Sequence, residues 1–235
     1  MALKVTTFSS NGRVSRVYGY KTKKIHHLQS DNQLRVFLIL EWSNKIKDIQ
    51  ENIELKDVEA TIYNVDNLRL DKFRNKETTE LYQLHTNFLV TIKNDNEEMQ
   101  VAISVKSISE LERKTVIEKI EIERRYWKAK QIKFYIITEK EINKQFVENI
   151  KWVREVLVNN GIEIKEEIAE KLYYFLQNNA ECKVINMLDE FDKVENLKFG
   201  TALFILRYLI AKKEIEINMK EKLDLNKLIQ DLIKF

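Results

Sequence analysis

At 235 residues, 44% hydrophobic and 33% charged, the chain is long enough for one large domain or a medium and a small one. It is too apolar for a disordered segment. No apolar run approaches the roughly 18 residues that a bilayer crossing needs, the start lacks an apolar signal core, and a lone cysteine, Cys182, excludes an internal disulfide and any zinc site of Cys/His spacing. A soluble protein of a reducing cytoplasm is expected.

The net charge is only +3, but it is unevenly spread. Residues 1–47 carry nine Lys/Arg against Asp31 and Glu41, a local +7. A basic front of this kind is the footprint of phosphate contacts. Arg13, Arg16, Lys21, Lys23, Lys24 and His27 are its candidate DNA-binding residues, and a solvated Lys-rich surface fits the charge equally well. With no proline and four glycines, the chain has few residues that force sharp turns, and a helix-rich protein follows.

Taken in order, Arg16 to Leu28 reads as a short hairpin. His26 and His27 are adjacent, so on a strand they face opposite sides, which argues against a shared metal; a satisfied structural histidine is the expected role, with a DNA-phosphate contact the alternative for one of them. Ser30 or Asp31 caps a helix with Leu34, Phe37 and Leu38 at helical spacing and Gln33 in its first turn. Lys47–Leu55 is extended. Residues 56–82 form a polar excursion with one short helix.

His85 to Lys106 reads as a β-hairpin. Leu84, Phe88, Val90 and Ile92 alternate on one face, opposite Asn87. After a polar turn from Asn94 to Glu98, Val101, Ile103 and Val105 alternate with Ala102, Ser104 and Lys106. Ser107 or Ser109 caps a long helix to about Lys130. Its expected buried stripe is Leu111, Val116, Ile117, Ile120 and Trp127. Glu112, Arg113, Glu118, Lys119, Glu123 and Arg124 are expected on its solvated face. Ile132–Thr138 is a short apolar run expected as a buried strand, and Asn143–Asn159 a helix closing an α/β core.

Beyond Gly161, three short helical patterns (165–178, 181–191, 198–212) precede a strand-like Glu214–Met219 and an amphipathic helix or tail from Leu223. That is the layout of a winged-helix or related domain. Its 12 Lys/Arg against 14 Asp/Glu is a poor charge balance for a DNA reader, and a protein-docking role is expected at least as strongly. The expected domains are 1–160 and 161–235.

The run from His26 to Trp42 (HHLQSDNQLRVFLILEW), Thr86-Asn-Phe-Leu-Val, Ala102-Ile-Ser-Val-Lys, and Ile117-Glu-Lys-Ile-Glu-Ile-Glu-Arg-Arg-Tyr-Trp with Ile137-Thr-Glu-Lys-Glu-Ile-Asn resemble the TnsA transposon-end endonucleases. The likeness covers most of residues 13–155 and is looser beyond. It implies a restriction-endonuclease-like core, a mixed sheet flanked by helices, with a small, mostly α, winged-helix-like C-terminal domain. It implies a bacterial cut-and-paste subunit that cleaves the 5′ ends of the transposon. The partners implied are a TnsB-like DDE transposase, which cuts the 3′ ends, and a TnsC-like AAA+ ATPase, which contacts the C-terminal region.

The family's core binds two Mg²⁺ ions through a helix Glu, a strand Asp and an acceptor two residues before an essential Lys. Those positions fall on Gln33, Asn87, Ser104 and Lys106, so only the Lys is kept. Divalent ions stabilise charge on the attacking and leaving oxygens and acidify a bound water, and Mg²⁺ prefers carboxylates. One unit charge pair at ~4 Å and an effective dielectric of ~20 is worth ~4 kcal/mol, so two amides weaken metal binding severely. Two readings follow: a cutting subunit whose carboxylates were exchanged for isosteric amides, or an architectural subunit that has given up cutting. Ser104 is not isosteric with the usual Gln or Glu and leans toward the second.

Overall fold

The computed structural model describes residues 14–94, 97–158 and 165–235. The chain divides into two compact units, Met1–Ile142 and Asn143–Phe235. That division lies before the helix expected to close the first domain, so the helix belongs to the second unit rather than the first. The expected break at Gly161 lies outside the described residues.

In the first unit, β1 (Ser15–Gly19) and β2 (Lys24–Leu28) pair as the expected hairpin. Gly19 packs so closely on Thr22 and His26 that a Cβ there would lie 2.3 Å from the Thr22 hydroxyl, which requires glycine. The helix α1 (Asp31–Trp42) starts at Ser30, whose hydroxyl accepts from Gln33 N. Strand β3 (Ile46–Glu54) follows. The polar excursion holds one α-helical turn, α2 (Val58–Thr61), and a 3₁₀ turn at Leu70–Phe73.

The strands β4 (His85–Asn94) and β5 (Glu97–Val105) form the predicted hairpin. A single capped turn, α3 (Ile108–Leu111), precedes α4 (Lys114–Ala129) and then β6 (Lys133–Ile137). The sheet order is β3-β4-β5-β6, antiparallel except for the β5–β6 pair. The parallel pair requires a crossover, which α4 supplies. The first unit is therefore a mixed sheet with helices against it, the α/β core expected.

Three expectations change here. The long helix is interrupted at Glu112–Arg113, with Ser107 and Glu110 forming a closed capping box on the first turn. No glycine or proline marks the break. The buried face of α4 is Ile120, Ile122, Glu123, Tyr126 and Trp127, while Ile117 is exposed. And β6 is an edge strand with Tyr135 and Ile136 exposed, not a buried one.

In the second unit, α5 (Lys144–Val158), α6 (Glu166–Gln177), α7 (Val184–Val194) and α8 (Thr201–Lys212) pack around α8, whose Ala202, Ile205, Leu206, Leu209 and Ile210 are buried. Buried Asp192 accepts from the amides of Gly200 (2.7 Å) and Ala202 (2.8 Å), capping α8 in place of a local side chain. Gly200 sits at φ +86°, which favours glycine. The expected strand shortens to β7 (Glu216–Ile217). The tail is a helical turn, α9 (Ile229–Leu232), and β8 (Ile233–Lys234) paired with β7, rather than a longer helix. The unit is mostly α, with this two-stranded ribbon.

Candidate functional site

Three of the four site positions lie at adjoining ends of β4 and β5. The β4–β5 ladder runs as far as Phe88 opposite Ile103. One step on, where Asn87 would face Ser104, the Asn87 side chain intervenes: its Oδ1 accepts from Val105 N at 2.7 Å. On the other side, Asn87 lies between the pairs Glu51–Phe88 and Ile53–Thr86, level with Asn52 of β3. Asn52 adopts φ +55°, a left-handed conformation that asparagine tolerates. The alternation resets here. Leu84 and Leu89, five residues apart, both pack with Ala102 against Ile122, Tyr126 and Trp127 of α4, so the predicted single face of Leu84, Phe88, Val90 and Ile92 does not run unbroken.

The fourth position, Gln33, comes from the first turn of α1, which lies against β3 and β5. Its Oε1 accepts from Gln29 N at 3.0 Å, while its own amide donates to Ser30 Oγ at 3.2 Å. Gln33 thus helps to cap its helix, a role invisible in the motif. The carboxamide oxygens of both Gln33 and Asn87 are held by backbone amides, which fixes the orientation of each group.

Ser104 is fully buried, and its Oγ has no hydrogen-bond partner. Beside it lies Glu123 of α4, also fully buried. Glu123 Oε2 accepts from Thr86 Oγ1 at 2.9 Å, and Thr86 Oγ1 in turn accepts from Trp127 Nε1 at 2.8 Å. Glu123 Oε1 is buried without a partner; Ser104 Oγ approaches the same carboxyl but not in good hydrogen-bond geometry. Burial pushes the Glu123 carboxyl above its ordinary range, against the charges of Lys106 and Lys119, which act to hold it down. Lys119 is itself pushed down by burial, with Glu123 opposing and Lys106 adding to the shift. His85 is pushed down by burial and by Lys119.

Lys119 and Glu123, expected on the solvated face of α4, are both turned toward the site. The helical phase differs from the expected one: Ile117 takes the exposed position, and the polar pair at i and i+4 occupies the sheet-facing stripe. The missed signal is Thr86, whose hydroxyl gives the buried carboxylate a partner.

Of the basic front, Arg13 lies outside the described residues. Arg16, Lys23 and Lys24 are exposed, Lys24 within 3.7 Å of Glu51. Lys21 donates to the carbonyls of Ser43 and Ile46, so its ammonium is engaged at the end of α1 rather than presented to a ligand. His27 is half-buried. Fully buried His26 bridges Thr22 (2.6 Å) and Glu51 (2.7 Å), a satisfied structural histidine as expected.

Do these residues suit the divalent cations that the motif implies? Among the described residues, no group of three or more His, Cys, Asp and Glu is placed to hold a metal ion. The amide oxygens that could ligate are already accepting backbone N–H groups. The carboxylate beside Ser104, Glu123, is opposed by the charges of two lysines, Lys106 and Lys119. The residues present do not fit a pair of Mg²⁺ ions.

The comparison with known proteins fits this architecture. A family model described as "TnsA-like endonuclease N terminal" matches residues 43–139, and one described as "TnsA endonuclease C terminal" matches residues 141–219. The Tn7 transposition protein TnsA of Escherichia coli is 34% identical over 229 residues, covering 96% of this chain and 81% of that protein. The chain belongs to the TnsA family. TnsA-like endonuclease domains are restriction-endonuclease-like, and the mixed sheet with Asn87, Ser104 and Lys106 at one end is this chain's version of that core. The family-model boundary, between residues 139 and 141, falls beside the division between compact units at Ile142. No helix among the described residues is long and apolar enough to cross a membrane.

Proposed function

We propose that this chain is the TnsA-type subunit of a heteromeric DNA transposition system, and that with amides at positions 33 and 87 it holds transposon-end DNA at the position of the 5′ cut without cutting it. The observation that carries the reading is the site itself: the three ligand positions hold Gln33, Asn87 and Ser104, with both amide oxygens committed to backbone donors. The exposed basic residues Arg16, Lys23 and Lys24 supply phosphate contacts that give affinity and register without sequence information. Recognition of the end sequence then falls to a TnsB-like transposase, and the mostly α second unit, winged-helix-like in content, docks a TnsC-like ATPase.

The test is the product of a reconstituted reaction with the partner transposase and ATPase. Unnicked 5′ ends and cointegrate products are expected; 5′ nicks that depend on this chain would overturn the reading. A second arm separates the two origins of the site. If the amides stand in for carboxylates in an otherwise intact nuclease, Gln33→Glu with Asn87→Asp restores Mg²⁺-dependent cutting that needs Lys106. A folded double variant that still does not cut assigns the chain a purely architectural role.

A further inference from the structure

The turn between α7 and α8 exposes apolar surface. Phe199 is 86% exposed, and Val194, the last residue of α7, is 66% exposed. A loose backbone does not account for this. The amides of Glu195 and Leu197 donate to Phe191 O (3.0 Å) and Asp192 O (2.7 Å), those of Gly200 and Ala202 to the Asp192 carboxylate, and Thr201 Oγ1 to Lys198 O at 2.6 Å. Phe199 is therefore presented by a turn that is already ordered, which lowers the cost of using it as an anchor. One exposed apolar side chain is ordinary; two in one ordered turn suggest a contact surface.

The charge around the knob is basic. Lys193 and Lys198 are exposed and, among the described residues, have no ion-pair partner. Glu195 is held by Lys171 at 3.2 Å. DNA is a poor occupant, because α8, the helix that would read bases after such a turn, has no reading face. Its only exposed residue is Lys212, while Arg207 is bonded to Trp152 O and Tyr208 to Glu166.

The same unit carries the complementary surface. Helix α6 and the segment after α8 line an open cavity of about 500 Å³ with Glu166, Glu170, Tyr173, Tyr174 and Glu214. That lies within the roughly 300–1,000 Å³ of small-molecule pockets, ample for one aromatic ring. Lys212 lies over the neighbouring Tyr208 ring at 5.3 Å. Among the described residues none of the three glutamates is in an ion pair, so an acidic excess remains. The Tyr173 ring is fixed edge-on by Tyr174 (5.4 Å) and Phe235 (5.2 Å), and Tyr174 is 52% exposed. Tyrosine rings beside carboxylates favour an ammonium group with an aromatic neighbour. Lys198 and Phe199 are such a pair.

We propose that the second unit is a self-association module, in which the Lys198–Phe199 knob of one copy seats in the Glu170–Tyr174 cavity of a second copy. Knob and cavity are different surfaces, so two copies either exchange knobs reciprocally or add head to tail. One knob covers little area, so the association is weak and concentration-dependent. Its charged rim makes it weaken with salt. It needs neither DNA nor the residues at the ends of β4 and β5.

The experiment is sedimentation equilibrium of the full chain across concentration and salt series, with circular dichroism to check that each variant folds. The mass of wild type should rise above that of a monomer with concentration, less so in high salt. Phe199→Ser should weaken association by at least about tenfold, and so should Glu170→Lys with Glu214→Lys. Mixing these two variants decides the matter. Phe199→Ser keeps its cavity and the charge variant keeps its knob, so the mixture should form a one-to-one pair that neither forms alone. Wild type that stays monomeric at every concentration overturns the proposal, as does a folded Phe199→Ser that associates like wild type or a mixture that stays monomeric. If Phe199→Ser instead loses binding to the partner ATPase or to DNA while wild type is monomeric, the knob serves that molecule and the self-contact is overturned.

Discussion

At the scale of single residues, the candidate site is held together by side chains acting as backbone partners. Asn87 is the clearest case. Its oxygen completes the ladder for Val105 N, so Asn87→Ala leaves a part-buried amide unpaired. The expected loss is about 1–2 kcal/mol in urea unfolding. Asn87→Asp keeps the acceptor and should cost less than half as much. If the two variants unfold alike, the hydrogen bond is not what the position contributes. The buried His26 bridge makes a pH prediction. Burial raises the Glu51 carboxyl, but the hydrogen bond and charge of His26, with Lys24, outweigh it and hold Glu51 below its ordinary value of 4.5. A depressed acid contributes stability above its unfolded pKa and loses it as pH falls through the folded value. Wild type should therefore lose more stability than Glu51→Gln as the solution is acidified below about pH 4.5, compared by thermal unfolding at matched pH. The motif positions are legible because types and order carry them: Asn87, Ser104 and Lys106 can be numbered from sequence. The amide orientations cannot, because they are set by backbone groups at Gln29 and Val105 that no pattern reveals.

At the scale of elements, the hairpin β4–β5 and the helix α4 differ in how much of them the sequence discloses. The hairpin shows period-two alternation long enough to fix its pairing, and Phe88, Val90, Val101 and Ile103 are buried as that alternation requires. The reset at Asn52 and Asn87 is not legible, since asparagine in a strand does not announce a left-handed residue. For α4 the expected helical period is correct and the expected phase is not. Hydrophobicity alone puts Ile117 inside and Glu123 outside. What decides the phase is a polar chain, Trp127 to Thr86 to Glu123, that satisfies most of a buried carboxylate's demands. Thr86→Val tests this. It preserves shape but removes an acceptor from the Trp127 indole and a donor from Glu123, both buried. Two groups at about 1–3 kcal/mol each predict a loss of roughly 2–6 kcal/mol by urea unfolding followed by tryptophan fluorescence. Thr86→Ser should retain most of the stability. Equal stability of Thr86→Val and wild type would show that Glu123 is not anchored through this contact.

At the scale of the whole molecule, the sequence places its punctuation and its domain boundary at different points. Gly161 is a visible break, but the compact second unit begins at Asn143. Its first helix is amphipathic on both readings, and periodicity cannot say which core receives the apolar face. Contacts within the second unit decide it. Val147, Ile150, Val153 and Val156 of α5 are buried, and α8 is the helix α5 packs against most. The Arg207 guanidinium on α8 donates to Trp152 O, with Nε at 2.8 Å, and Asn149 Nδ2 donates to the carbonyls of Met219 (2.9 Å) and Glu221 (2.7 Å). At about 1.5–3 kcal/mol for each buried aliphatic side chain, the four residues of α5 are worth roughly 6–12 kcal/mol. That is comparable to the whole stability of a typical domain, about 5–15 kcal/mol. A fragment of residues 143–235 should therefore fold cooperatively, with the sharp thermal transition of an α-helical domain by circular dichroism. A fragment of 161–235, cut at the break the sequence advertises, should lose that transition, because α8 would expose the face that Val147, Ile150 and Val153 cover. A cooperative melt from the shorter fragment would mean that α6, α7 and α8 close a core by themselves. Helix α5 would then be a linker, and the boundary near residue 160 would be correct.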